Sequence, residues 1–181
     1  MGLGQTLLTI MALMLLGRMI LSMNTTTLDA GFTKDMSEYR ITATSLGTSL
    51  LESANSLAFD EATVDTFLLS TQVSSLTAAA SLGADAGETD YTLFDDIDDY
   101  NGYTRVEKTP DSVEFDLSAT VQYLSATTSS LTVTTSKTFN KLLTVYVTSP
   151  FIVDYTRFDA YGNPVRDTIT FRTIYSYWYF R

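Results

Sequence analysis

Apolar residues fill the first stretch of the chain with no preferred phase. From Leu7 to Met23 the sequence reads LLTIMALMLLGRMILSM, and only Thr9, Gly17, Arg18 and Ser22 interrupt it. As a helix, this run covers roughly 25 Å, a marginal membrane span that Met1 to Gln5 lengthens sufficiently. A period then emerges. Leu28, Phe32, Met36, Tyr39, Ala43, Leu46, Leu50, Ala54 and Leu57 recur at steps of three and four, close to the turn of a straight helix. Asp29, Lys34, Asp35, Glu38, Arg40 and Glu52 occupy the opposite side, and no proline occurs before Pro110. The spacing predicts one uninterrupted helix from near the N-terminus to about Leu57, roughly 80 Å long. Its first part (1–24) is apolar all round. Its continuation (25–58) is amphipathic and packs against the remainder of the chain.

Beyond Leu57 the helical period fades. The stretch Val64 to Leu82 reads as a second short helix or a wrapped loop, and Gly83 to Thr89 as a loop. Alternation then takes over. Val113, Phe115 and Leu117, with Val121 and Tyr123, form one candidate strand. Leu131 and Val133 form a second, and Leu143 to Val147 a third that ends at Pro150. Phe151 to Asp159 and Ile169 to Phe180 are further strands, parted by the turn signal AYGNP at Ala160 to Pro164. The expected fold class is α+β: a long N-terminal helix on a small antiparallel sheet of about four strands, with residues 59–181 as the globular part.

Charge and composition narrow the chemistry. The chain lacks cysteine and histidine, which removes disulfides, thiolate metal sites and histidine-based catalysis. The net charge is −10, and Arg18 is the sole charged residue before Asn24. The region beyond the apolar run is thus acidic, which disfavours nucleic acid and anionic lipid as partners. Arg18 lies within a turn or two of the end of the apolar run. It either snorkels to the interface or serves a function inside the membrane. The run does not read as a cleaved secretory signal, since no basic segment precedes it and no small-x-small site follows it.

An apolar-then-amphipathic helix followed by a small antiparallel sheet resembles the type IV pilin and pseudopilin family. Two strings carry the likeness further. GQTLLT (Gly4 to Thr9) resembles the family's cleavage-site string. FDDIDDYNGY (Phe94 to Tyr103), followed by a strand pair and KLLTVYVTSP (Lys141 to Pro150), resembles minor pilins of the mannose-sensitive haemagglutinin pilus group. The resemblance implies a structural filament subunit and not an enzyme. It would sit in the inner membrane as a single-pass protein, then assemble with copies of itself or other pilins into a helical filament, extracellular or periplasmic. It also implies prepilin cleavage at Gly4. The family's glutamate near the start of the mature helix falls on Gln5 if Met1 is the mature start, and on Thr9 if cleavage follows Gly4. Neither is a carboxylate, so the usual charge pairing in the membrane has no acid here. Gln5, Thr9, Leu13, Leu16 and Arg18 are the expected assembly residues.

Two clusters invite other readings. Asp95, Asp96, Asp98 and Asp99 could chelate calcium through oxygen ligands, although the EF-hand spacing fits badly. The alternative is a solvated acidic turn. The alternating aromatics Tyr175, Tyr177, Tyr179, Trp178 and Phe180 could form a sugar-binding platform, or one core face plus one subunit-contact face. A rival function is therefore a single-span periplasmic binding module anchored by an uncleaved helix. No cofactor is implied, and no phosphate loop or paired-carboxylate spacing argues for catalysis.

Overall fold

A computed structural model describes residues 2–126 and 130–180, with the backbone alone at 179 and 180. Met1, the alternative mature start, lies outside the described residues. The expected α+β architecture is present: one helix, α1 (Leu3–Ala54), and a five-stranded antiparallel sheet. The strands are β1 (Thr104–Lys108), β2 (Glu114–Ala126), β3 (Leu131–Thr134), β4 (Asn140–Phe158) and β5 (Pro164–Ser176). They run in the order β1-β2-β4-β5, with β3 paired to the far end of β2.

Two compact units divide the chain, 1–40 and 41–181. The first is helix alone, and every described residue from Gly2 to Asp35 is exposed. It contains an 18-residue window of mean hydropathy 1.9, long and apolar enough to cross a membrane. Its hydroxyls are internally satisfied. Thr6 donates to the Leu3 carbonyl, Thr9 to those of Gln5 and Thr6, and Thr25 and Thr26 to that of Ser22. Such back-bonding lets threonine sit in an apolar helix without stranding a donor.

In the second unit, the last three turns of α1 pack on the sheet through Ala43, Gly47, Leu50 and Ala54. The buried face of α1 is thus narrower than the periodicity indicates. Leu28 and Phe32 are in phase with it yet exposed, and the helix stops at Ala54 instead of Leu57. Small residues dominate the packed face because the sheet approaches closely. A side chain at Gly47 would collide with the ring of Phe171 on β5. Gly47→Ala already sets a methyl group against the Phe171 ring and is expected to cost about 1–3 kcal/mol by overpacking, with the larger Gly47→Val at or above the upper end of that range. Urea titrations of the two variants check this.

Beneath the helix, ladder neighbours form rows across the sheet. Ala119, Val145 and Phe171 make one row, and Tyr123, Lys141 and Tyr175 another. Along β4 the buried face reads Lys141, Leu143, Val145, Val147, in strict period two. Pro150 does not end this strand. It falls where the β4–β5 register shifts, between Thr148 and Val153, a place where a strand tolerates a missing N–H. The AYGNP turn forms as expected. Asp159 Oδ1 accepts from the N–H groups of Tyr161 and Asn163, and Gly162 takes φ +83°. The stretch 64–82 is a wrapped loop with single 3-10 turns at Val73–Ser75 and Ala79–Ser81.

Candidate functional site: a buried lysine between two aspartates

Three segments converge at the first buried position of β4. Just past α1, Ala58 forms an isolated parallel bridge with Asp96. The Ala58 N–H donates to the Asp95 carbonyl, and the Ile97 N–H donates to the Ala58 carbonyl. This bridge sets Phe59–Asp60 beside Ile97–Asp98. Lys141, fully buried on β4, enters between them. Its Nζ donates to Asp98 Oδ1 at 2.5 Å, Asp60 Oδ2 at 2.8 Å and the Phe59 carbonyl at 2.7 Å. All three ammonium protons therefore have acceptors. The ring of Phe59 lies 4.7 Å from Nζ and that of Tyr123 5.5 Å, adding cation–π attraction and excluding water.

Asp60 is the most heavily bonded group here. Its carboxylate accepts from the N–H of Ala62, the N–H and hydroxyl of Thr77, and the Tyr123 hydroxyl. It thereby caps the 3-10 turn Glu61–Thr63 and fastens the wrapped loop to the sheet. Burial, then the charge of Asp60, pushes the Tyr123 hydroxyl far up, so it remains a donor. Among the described residues, no buried side-chain polar atom lacks a partner.

The acidic string is not a solvated turn, because Asp96, Asp98 and Asp99 are buried and only Asp95 is exposed. Nor do the four carboxylates form one ligand sphere. Asp98 is spent on Lys141. Asp96 Oδ1 accepts from the N–H groups of Asp98 and Asp99, and Asp99 Oδ2 accepts from those of Asp95 and Asp96. Carboxylate oxygens of Glu61, Asp95 and Asp96 lie within 4.8 Å of one another, as do those of Glu88, Asp95 and Asp99. Asp98 belongs to neither group.

Burial, reinforced by the neighbouring Asp98 charge, pushes the Asp96 carboxyl up to about 9. Burial likewise lifts Asp99 to about 7, against the pull of the backbone N–H groups of Asp96 and Asp95 and with help from Glu88. Both start from an ordinary value of 3.8. The folded state thus holds protons that the unfolded chain has released. This contribution is complete below the ordinary value and is lost as pH rises through about 7 and about 9. The globular unit is expected to melt lower at about pH 9 than at about pH 5. Asp96→Asn keeps the acceptor oxygen but removes the titration, so it should flatten that slope. A series of melts across the range, read by circular dichroism, checks both statements.

The other sequence candidates lie elsewhere. Gly4, Gln5, Thr9, Leu13, Leu16 and Arg18 are all exposed on the first unit's helix. Of the aromatic stripe, Tyr175 and Tyr177 are buried. Their hydroxyls donate to the Leu51 carbonyl and accept from the Leu68 N–H respectively. Those two rings are core and cannot serve as a platform. Trp178 packs on Phe139, and the side chains of Tyr179 and Phe180 lie outside the described residues. A cleft of about 340 Å³ opens instead beside Tyr91, Tyr103, Arg105 and Glu107, with Ser49 and Ser53 of α1 on its other wall. There the Arg105 guanidinium lies 4.4 Å from the Tyr91 ring centroid and pairs with Glu107. No protein-family model, curated protein or solved structure matches this chain.

Proposed function

We propose that the protein is a structural subunit of a type IV pilus-like or pseudopilus filament, held in the membrane and then in the filament core by its apolar helix. One observation carries this reading: the helix segment Leu7 to Met23 is apolar, and every residue of it is exposed. Lipid covers such a surface before assembly, and equivalent helices from other copies cover it afterwards. The same helix runs on, without a break, into the turns that pack on the sheet. A pull on the core helix would therefore reach the globular unit. The buried Lys141 cluster fits a structural role, since it ties three segments together and all its polar atoms are satisfied.

The rival reading, a membrane-anchored binding module, is favoured by the Tyr91–Arg105 cleft, whose half-buried tyrosines and charged pair suit a small polar ligand. Immunogold electron microscopy of sheared surface filaments separates the two. Label along the filaments supports the subunit. Label confined to membrane fragments supports the module.

A further inference from the structure

We propose that Lys141 and Asp98, placed in contact inside the folded domain, condense to a side-chain amide, so that the mature protein carries an internal covalent cross-link. The reactants are already assembled. Lys141 Nζ lies 2.5 Å from Asp98 Oδ1, with the lysine fully buried and the aspartate 3% exposed. Reacting groups held in this way reach effective molarities of roughly 10⁵–10⁸ M. Phe59 and Tyr123 enclose the nitrogen. Exclusion of water favours condensation over hydrolysis and raises the cost of leaving three charges buried together.

The two aspartates differ in their suitability as acceptor. Asp60 holds four donors besides the lysine, from Ala62, Thr77 and Tyr123. That arrangement stabilises the anion and makes its carbon a poor electrophile. Asp98 takes no backbone or hydroxyl donor on its carboxyl among the described contacts; it meets Lys141 and the carboxyl of Asp96, which leaves it the acceptor and Asp60 the proton relay.

One ammonium proton moves to the Asp98 carboxylate and, once the nitrogen has attacked, a second passes from it to Asp60. The freed amine lone pair attacks Asp98 Cγ, forming the C–N bond. The C–OH bond then breaks, and hydroxide leaves with the proton returned from Asp60, as water. Three ammonium protons become one amide proton and two water protons. The ammonium and one carboxylate cancel, and no oxidant or reductant takes part. The single remaining charge, on Asp60, keeps its four donors. The amide N–H can stay on the Phe59 carbonyl, which Nζ already contacts at 2.7 Å.

The cross-link closes 43 residues of chain and fastens the acidic loop to the first buried position of β4. The test is peptide mass spectrometry of the full chain, purified in detergent and digested with trypsin under denaturing conditions. Ile41–Arg105 and Thr138–Arg157 are expected as one linked species, lighter than their sum by one water. Fragment ions should place the link on Asp98, and Lys141 should resist cleavage. Lys141→Arg, which keeps the charge but cannot form this amide, should give the two regions separately. Asp60→Asn, lacking the relay, should leave most of the chain unlinked. Wild-type protein that yields only unlinked peptides cut after Lys141 overturns the proposal and leaves an ion pair alone. A link placed on Asp60 overturns the assignment of acceptor and relay. Neither result depends on whether a variant folds.

Discussion

Lys141→Met is expected to remove a large share of the stability of the globular unit, about 3–5 kcal/mol, out of the roughly 5–15 kcal/mol that domains of ordinary size possess. The cause lies less in the lost attraction than in what remains behind. Asp60 and Asp98 would both be buried, their carboxylates facing a methionine where Nζ now sits 2.8 and 2.5 Å away. The Phe59 carbonyl would lose its donor as well. Lys141→Met combined with Asp98→Leu should recover part of the loss, because Asp60 retains the donors of Ala62, Thr77 and Tyr123. Urea titration of the full chain in detergent, followed by the fluorescence of Trp178, measures both variants. A loss under about 1 kcal/mol for the single variant would show that the cluster is better solvated than its geometry implies.

The sequence and the structure agree most closely where a single physical period governs. The apolar run, the continuity of α1 without proline, the alternation of β2 and the AYGNP turn are all local signals, and each element forms where its signal lies. Disagreement appears where packing from elsewhere decides. Leu28 and Phe32 keep the helical phase, yet both are exposed. Periodicity reports which side of a helix is apolar, not how far along it a partner extends. Strand β1 carries no apolar alternation in the sequence, because its five residues, Thr104–Lys108, include three charges. It forms as an edge strand by pairing with β2.

The central cluster was only half legible. The acidic string stands out by composition, but a dense run of aspartates reads as solvent-facing or as a cation site. Its counter-charge is 43 residues away along the chain. Lys141 did leave a trace: it lies two residues before Leu143, in phase with Val145 and Val147, so a lysine occupies a core position of a strand. A buried lysine demands acid nearby, and that inference leads back to the aspartates. Asp60 offered no comparable signal, since its partners come together only through the Ala58–Asp96 bridge and the wrapped loop.

On the proposed filament reading, the exposed apolar helix is an assembly surface as well as an anchor. Leu13 and Leu16 are 67% and 55% exposed within it. On that reading, an arginine at either position would place a charge where helices of neighbouring copies meet without water. Translocon-type scales put that at about 2.5–3.5 kcal/mol at a helix centre, and in a filament the penalty recurs at every subunit. Gln5→Ala should weaken incorporation only mildly, because an amide at that place makes neutral hydrogen bonds and no salt bridge. The direct measurement is an immunoblot of sheared filaments against the membrane fraction for wild type, Leu16→Arg and Gln5→Ala. The filament reading predicts wild type and Gln5→Ala in the sheared material and Leu16→Arg absent from it, with its membrane pool retained. Leu16→Arg incorporated at the wild-type level, with a normal membrane pool, would contradict it.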